Sequence, residues 1–321
     1  MTAPTIPELS IVIPMKDEQD GLASLFFRLL PTLRSLGRSF EVVCVNDGSH
    51  DNTVTGLVGL QRAHPEIVIV DLSRNFGKEA ALTAGIQHAR GNAVIPLDAD
   101  LQDPPEIIPE MTAKWDSGAE VVIAVRSKRE TDSAFKRWTA SAFYRTINQM
   151  SEVSIPNNAG DFRLMSRPVV NALLSLPERN RFNKGLFAWL GFRTEVVYYE
   201  RPKRELGTSK WAYRRLWSFA VDGITAFSSL PIRIWTYVGL AFAAFALIYG
   251  GVMIFRALIL DNIDVPGYAS LMVAILFSSG VILTGLGVIG EYVSRIYIEV
   301  KGRPLYVVRT VIRAETSAQR R

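Results

Sequence analysis

The stretch Val94-Ile95-Pro96-Leu97-Asp98-Ala99-Asp100-Leu101-Gln102-Asp103-Pro104-Pro105 decides how this chain is read. It begins as an apolar run and ends in Pro-Pro, the pattern of a buried strand that stops in a loop. At the mouth of that strand Asp98 and Asp100 stand one residue apart, and Gln102 adds a side-chain amide two residues on. Two carboxylates so placed can hold a hard divalent cation through oxygen and leave coordination positions for a diphosphate. A cation there neutralises a departing nucleoside diphosphate, as an enzyme using nucleotide sugars requires. Taken alone, Asp-x-Asp reads equally well as a polar loop with helix-capping aspartates. The decision rests on its surroundings.

Upstream, strand and helix patterns alternate. Leu9 to Ile13, Phe40 to Val45 and Ile67 to Val70 read as strands, as do Ala93 to Leu97 and Glu120 to Val125 further on. Helical patterns cover Leu22 to Leu36 and Lys78 to Ala89, the second closed by Gly91. Continuous apolar strands separated by helices predict an α/β fold with a mostly parallel sheet covered on both faces. Ligands in such sheets bind beyond the carboxyl ends of the strands. Asp17, Asp47, Arg74 and Asp98/Asp100 each fall just after a predicted strand, so four polar clusters converge on one sheet edge.

Composition narrows the class. The chain has 321 residues, 48% hydrophobic, a length that suggests two domains. Mean hydropathy is +0.15, high for a soluble enzyme, and the excess lies after residue 230. One cysteine excludes an intramolecular disulfide framework and suits a reducing compartment. Cys44 lies in Val42-Val43-Cys44-Val45 and reads as a small core residue. The net charge of +5 is assigned to an anionic membrane surface and phosphate ligands, not to nucleic acid, for which no binding motif is present. The N-terminus lacks a signal-peptide pattern.

Ile234 to Phe255 and Val265 to Gly290 carry no charged residue. Each exceeds the roughly 20 residues needed to cross a bilayer. The connector Asp261-Asn262-Ile263-Asp264 holds no Lys or Arg, whereas Arg214, Arg215 and Arg233 flank one side and Arg295, Lys301, Arg303, Arg309 and Arg313 the other. The positive-inside rule then places both ends and the catalytic part in the cytoplasm. Gly280, Gly285, Gly287 and Gly290 would allow close helix contact. Trp211 to Leu230 mixes aromatics with Arg214 and Arg215, the pattern of helix lying in the membrane interface.

Taken together, Ile13-Pro14-Met15-Lys16-Asp17-Glu18, Val45-Asn46-Asp47-Gly48-Ser49, Asp98 to Pro104, Gly160-Asp161-Phe162-Arg163, Arg204 to Lys210 and the two apolar stretches resemble family 2 glycosyltransferases of the GT-A fold. Within that family the chain resembles the polyprenyl-phosphate enzymes, which include dolichol-phosphate mannose synthases and bactoprenol glucosyltransferases. The resemblance covers nearly the whole chain. It implies a GT-A catalytic domain over residues 1–210, juxtamembrane helices over 211–231, a two-helix transmembrane hairpin over 232–294 and a basic cytoplasmic tail over 295–321.

The resemblance also implies roles. Pro14, Asp17, Glu18 and Asp47 would line the nucleotide pocket, with Asp47 bonding the base, and Arg74 and Lys78 would lie on the nucleotide side. Asp98, Asp100 and Gln102 would bind Mg²⁺ or Mn²⁺. Asp161 looks like the family's catalytic aspartate, with Arg163 beside it. A phosphate acceptor is already an anion, so Asp161 can act by orienting groups instead of removing a proton. Arg126, Arg137, Arg204 and Lys210 would bind phosphates, since guanidinium and ammonium groups are dense donors. The activity implied is inverting transfer of a hexose, with UDP-glucose the default donor, to undecaprenyl phosphate. Transfer to a lipid hydroxyl such as diacylglycerol, or a non-enzymatic membrane partner with a vestigial nucleotide domain, are the rivals. The Gln-x-x-Arg-Trp motif of processive synthases is missing: Ala134 stands at the glutamine position before Arg137-Trp138. Family members can be tetrameric, so a homo-oligomer is expected, and the strand-like tail Pro304 to Ile312 is expected to pair with a neighbouring subunit.

Overall fold

In a computed structural model, residues 6–126, 159–178, 183–199 and 267–314 are described, with scattered positions between 234 and 255. The apolar runs form strands because their β-branched residues fill both faces of a covered sheet. They are β1 (Leu9–Met15), β2 (Phe40–Asn46), β3 (Ile67–Leu72), β4 (Ala93–Pro96) and β5 (Val121–Arg126). Beyond them come β6 (Ala159–Ser166), β7 (Thr194–Tyr199) and β8 (Val308–Ile312). The order across the sheet is β7-β5-β6-β4-β1-β2-β3-β8. β1 pairs in parallel with β2 and β4, and β2 with β3. The expected parallel sheet is therefore its centre. It is extended by β6, antiparallel to both β4 and β5, and by β8, antiparallel to β3.

The helices are α1 (Leu22–Ser35), α2 (Thr53–Ala63), α3 (Lys78–His88), α4 (Ile108–Asp116), α5 (Arg167–Ser175), α6 (Asn183–Trp189) and α7 (Tyr268–Lys301). Leu25, Leu29 and Leu33 of α1 pack with Ile11, Ile13 and Cys44 on one face of the sheet. Ala81, Leu82 and Ala84 of α3 pack with Val12, Val43 and Val45 on the other. Cys44 is wholly buried, and burial pushes its thiol pKa well above the ordinary value, in keeping with a core role. Gly91 does not cap α3 as expected. The helix ends at His88 with Ala89 extended, and Gly91 instead lies so close to β1 that a Cβ would meet the Ser10 nitrogen at 2.6 Å.

α7 runs for 34 residues, about 51 Å at 1.5 Å per residue, and continues past the expected apolar stretch to Lys301. Its segment Phe277–Lys301 is long and apolar enough to cross a membrane and is unburied. The described positions of the first apolar stretch are helical, and Tyr237, Leu240, Phe245 and Ile248 are exposed. Phe242 meets Phe277 at 5.7 Å between ring centroids, and Trp235 lies 3.5 Å from where a Cβ of Gly285 would stand. Going back along the first stretch from Phe242 to Trp235 goes forward along α7 from Phe277 to Gly285, the sense of an antiparallel pair. Of the four glycines expected at the contact, Gly285 has such a neighbour, and Gly280, Gly287 and Gly290 have none within 4 Å among the described residues.

The tail closes the chain's own sheet: β8 pairs with β3 of the same molecule, where pairing with a neighbour was expected. Side chains reinforce the pairing. Arg309 donates to the Ser73 carbonyl at 2.8 Å and pairs with Asp71 at 3.3 Å. Gln61 Nε2 donates to the Ile312 carbonyl at 3.0 Å, and Arg313 to the His88 carbonyl at 3.1 Å.

Candidate active site

A cleft of about 800 Å³ opens where β1, β2 and β4 end. Pro14 and Met15 end β1 and Lys16 to Glu18 follow it, Asp47 follows β2, Asp98 to Leu101 follow β4, and Gly77 and Lys78 stand at the start of α3. The loops are tied to one another by side chain–backbone bonds. His50 N–H donates to Asp17 Oδ1 at 2.7 Å, and Asp17 N–H donates to Ser49 Oγ at 2.9 Å. Glu18 N–H donates to Thr53 Oγ1, and Gln19 N–H to Asp51 Oδ2. These bonds satisfy backbone groups that leave the ladder and hold the β1 and β2 loops as one wall.

The loop after β3 crosses over Gly48. With φ +64° and a hypothetical Cβ only 2.5 Å from the Asn75 nitrogen, this position accepts no side chain. Asp47 secures the crossing: its Oδ1 accepts from Phe76 N–H at 2.7 Å and its Oδ2 from Gly77 N–H at 2.9 Å.

Asp17 and Leu101 both have φ near +55°, an unusual backbone state for non-glycine residues, and both sit at this cleft. The turn at Leu101 folds Gln102 back on Asp100: Gln102 N–H donates to Oδ1 at 3.2 Å and Nε2 to Oδ2 at 2.5 Å. Lys78 reaches from the first position of α3 between two carboxylates, 2.7 Å from Asp98 Oδ1 and 3.2 Å from Asp161 Oδ2. Burial raises the Asp98 pKa above the usual carboxylate range; Lys78 opposes this, and Asp103 and Asp161 add to it. Burial works against the charged form of Lys78, but Asp98 and then Asp161 outweigh it and hold its pKa above normal.

The donor set fits a divalent cation in one manner. Among the described residues no three His, Cys, Asp or Glu side chains form a complete cage. Asp98, Asp100 and the Gln102 amide offer an incomplete oxygen set, as suits an ion whose remaining positions are filled by substrate phosphates and water. A cationic group, Lys78, already lodges beside Asp98.

A second polar cluster lies at the ends of β5 and β7. Tyr199 OH donates to buried Asp103 at 2.5 Å, and Arg126 Nε donates to Tyr199 OH at 3.2 Å. Arg126 also stands 3.7 Å from Asp103.

Residues 10–174 match the model of Glycosyl transferase family 2, and residues 230–296 match that of the GtrB C-terminal hairpin. The chain is 55% identical over 301 residues to an uncharacterized glycosyltransferase of Synechocystis, covering 94% of each. It is 47% identical over 303 residues to the SfII prophage-derived bactoprenol glucosyl transferase of Shigella flexneri, covering 94% of this chain and 97% of that one. The chain belongs to glycosyl transferase family 2. Among solved structures, the chain is similar to a glucosyl-3-phosphoglycerate synthase from Mycobacterium tuberculosis at 18% identity and a TM-score of 0.46, covering 68% of this chain and 76% of that one.

In this family 2 chain, Pro14, Asp17, Glu18, Asp47, Lys78, Asp98 and Asp100 all line one cleft. Gln102 is buried at its lip. Asp161 stands in β6, not in a loop, and its carboxylate meets Lys78. Arg163 does not reach the cleft. It is buried with its guanidinium 3.9 Å from the centre of the Phe187 ring, and it donates to the Gly160 carbonyl at 2.7 Å. Burial pulls its pKa down to about 10, with Asp161 opposing. Arg74 lies on the expected loop, but its guanidinium stacks 4.0 Å over Phe76. Arg126 belongs to the second cluster. Arg137, Arg204 and Lys210, and the aromatic segment Trp211 to Leu230, lie outside the described residues. Sequence reasoning gave no role to Asp103 and Tyr199. Asp103 was visible next to Gln102, but its partners come from β5 and β7, which only the sheet brings together.

Proposed function

We propose that this enzyme transfers glucose from a nucleotide sugar, UDP-glucose, to polyprenyl phosphate at the cytoplasmic face of the membrane, with inversion at the anomeric carbon. The observation that carries the reading is one chain holding both an acidic cleft at the sheet rim and an unburied apolar helix long enough to cross a membrane. Supporting it is 47% identity, over nearly its whole length, to a protein named a bactoprenol glucosyl transferase. The hairpin spans the bilayer twice, with both termini and the sheet in the cytoplasm.

Asp98, Asp100 and Gln102 would hold Mg²⁺ or Mn²⁺, which would supply charge neutralisation for the nucleoside diphosphate leaving group. The chain's own residues do the rest. The β1 and β2 loops, locked together through Asp17, Ser49 and Thr53, form the wall against which the nucleotide lies. Asp47 holds the Phe76–Gly77 backbone that brings Lys78 to the diphosphate. Arg126, braced by Tyr199 and Asp103, meets the acceptor phosphate. The acceptor oxygen is already anionic and attacks the anomeric carbon in a single displacement, so no proton need be removed. Asp161, paired with a lysine, serves as an orienting anion more readily than as a base.

The test is a panel of nucleotide sugars offered to membranes containing the full chain, undecaprenyl phosphate and Mg²⁺. Released nucleotide and an acid-labile glucosyl phosphate product are expected. A product stable to mild acid, or release that ignores the polyprenyl phosphate, would overturn the reading.

A further inference from the structure

The most unusual contact in the cleft is a lysine doing what a metal is expected to do. Lys78 Nζ is 2.7 and 2.9 Å from the two oxygens of Asp98 and 3.2 Å from Asp161. Its backbone is fixed at the start of α3, immediately after Gly77, whose N–H is held by Asp47. Its side chain, 47% exposed, is a flexible four-carbon stem with room in the cleft it lines. A dication approaching Asp98 meets this ammonium at close range and is repelled, and the two cations compete for the Asp98 oxygens. A diphosphate entering the same cleft offers the ammonium an alternative partner of higher charge.

We propose that Lys78 is a tethered cation that holds Asp98 and Asp161 in the donor-free enzyme, excludes the divalent ion, and transfers to the donor diphosphate when metal and donor enter together. This rests on the glycosyltransfer reading for the nature of the donor. Lys78 thereby couples two sites: metal and nucleotide each bind better in the presence of the other, and by the same factor. The coupling also suits catalysis. The cation that balances the acidic site at rest becomes a second positive charge on the leaving group in the loaded state.

Mn²⁺ binding to the full chain in detergent, at constant ionic strength, is read from the free-ion electron paramagnetic resonance signal, with and without UDP. For the unaltered protein, UDP is expected to tighten Mn²⁺ binding at least about tenfold. Lys78→Met is expected to bind Mn²⁺ alone at least about tenfold more tightly than the unaltered protein, with a smaller gain from UDP. Lys78→Arg keeps the charge and is expected to bind Mn²⁺ alone as weakly as the unaltered protein. Equal Mn²⁺ affinity in Lys78→Met and the unaltered chain, without UDP, overturns the proposal. Should Lys78→Met fail to show a normal melting curve, Lys78→Gln carries the same comparison. Failure of UDP to bind even with Mn²⁺ would instead count against the glycosyltransfer reading, and the nucleotide-free comparison would still decide the role of Lys78.

Discussion

Asp98 is held by Lys78 and neighboured by Asp103 and Asp161, so its charge is the pivot of the cleft. Asp98→Ala is expected to lower glucosyl transfer by about 10²–10³-fold or more, the scale on which removing one charge-stabilising group acts. The melting temperature should change little, because Asp98 sits at a loop mouth and packs no core. Asp100→Ala should behave alike, and chelation of divalent ions should abolish turnover while leaving circular dichroism unchanged. Near-normal turnover in both variants would remove the ligand assignment. Tyr199 offers a different test. Its hydroxyl donates to buried Asp103 and accepts from Arg126. Tyr199→Phe leaves a buried carboxylate oxygen short of a donor, which costs about 1–3 kcal/mol of stability. If Arg126 meets the acceptor, the same variant should raise KM for polyprenyl phosphate and leave KM for the nucleotide sugar nearly unchanged.

At the scale of elements, the loop between β3 and α3 is what the cleft depends on. It passes so close to Gly48 that an added Cβ would lie 2.5 Å from the Asn75 nitrogen, and it is pinned by Asp47. Gly48→Ala must relieve both an unfavourable positive φ and a backbone clash, so UDP binding should weaken at least about tenfold, along with a lowered melting temperature. Isothermal titration and thermal unfolding check the two parts separately. These elements differ in how legible they were. β1 to β5 announce themselves as continuous apolar runs, α1 by its helical pattern and α3 by its alanine content, and their bounds came within two residues. β6 and β7 did not. Ala159 to Ser166 contains Asp161, Arg163 and Ser166, and looks polar because it carries site residues and a buried guanidinium in an antiparallel strand. Asp17, Asp47 and Asp98 were found because strand ends in parallel sheets share one edge. The confinement of Arg163 under Phe187 was not, because α6 lies far along the chain from Arg163 and meets it only in the folded state.

Over the whole molecule, the sheet takes its last strand from beyond the apolar hairpin, so the catalytic unit is discontinuous in sequence. β8 covers the edge of β3, and Arg309 ties α7's exit to Asp71 and Ser73. Asp71 in turn receives the Asn46 side chain at 2.7 Å, one residue before Asp47. Truncation after Pro304 should expose β3 as an unpaired edge, with aggregation in size-exclusion chromatography and a lower melting temperature. A milder variant, Arg309→Ala, should retain the monodisperse profile of the full chain but weaken UDP binding through the Asp71–Asn46 link. Unchanged nucleotide affinity in Arg309→Ala would show that the tail covers the edge and does nothing more.

The one-dimensional pattern determined what local forces can specify: apolar strands in alternation with helices, acidic residues at their ends, and two uncharged stretches long enough for a bilayer. Each of these follows from hydrophobic periodicity or from the cost of burying charge, which act at short range along the chain. Tertiary structure alone decided which groups meet. Lys78 lies between Asp98 and Asp161, Tyr199 between Asp103 and Arg126, and the tail lies against β3, contacts that join residues 20 to 243 positions apart. Such pairings are set by sheet order and strand direction, and no periodicity records them.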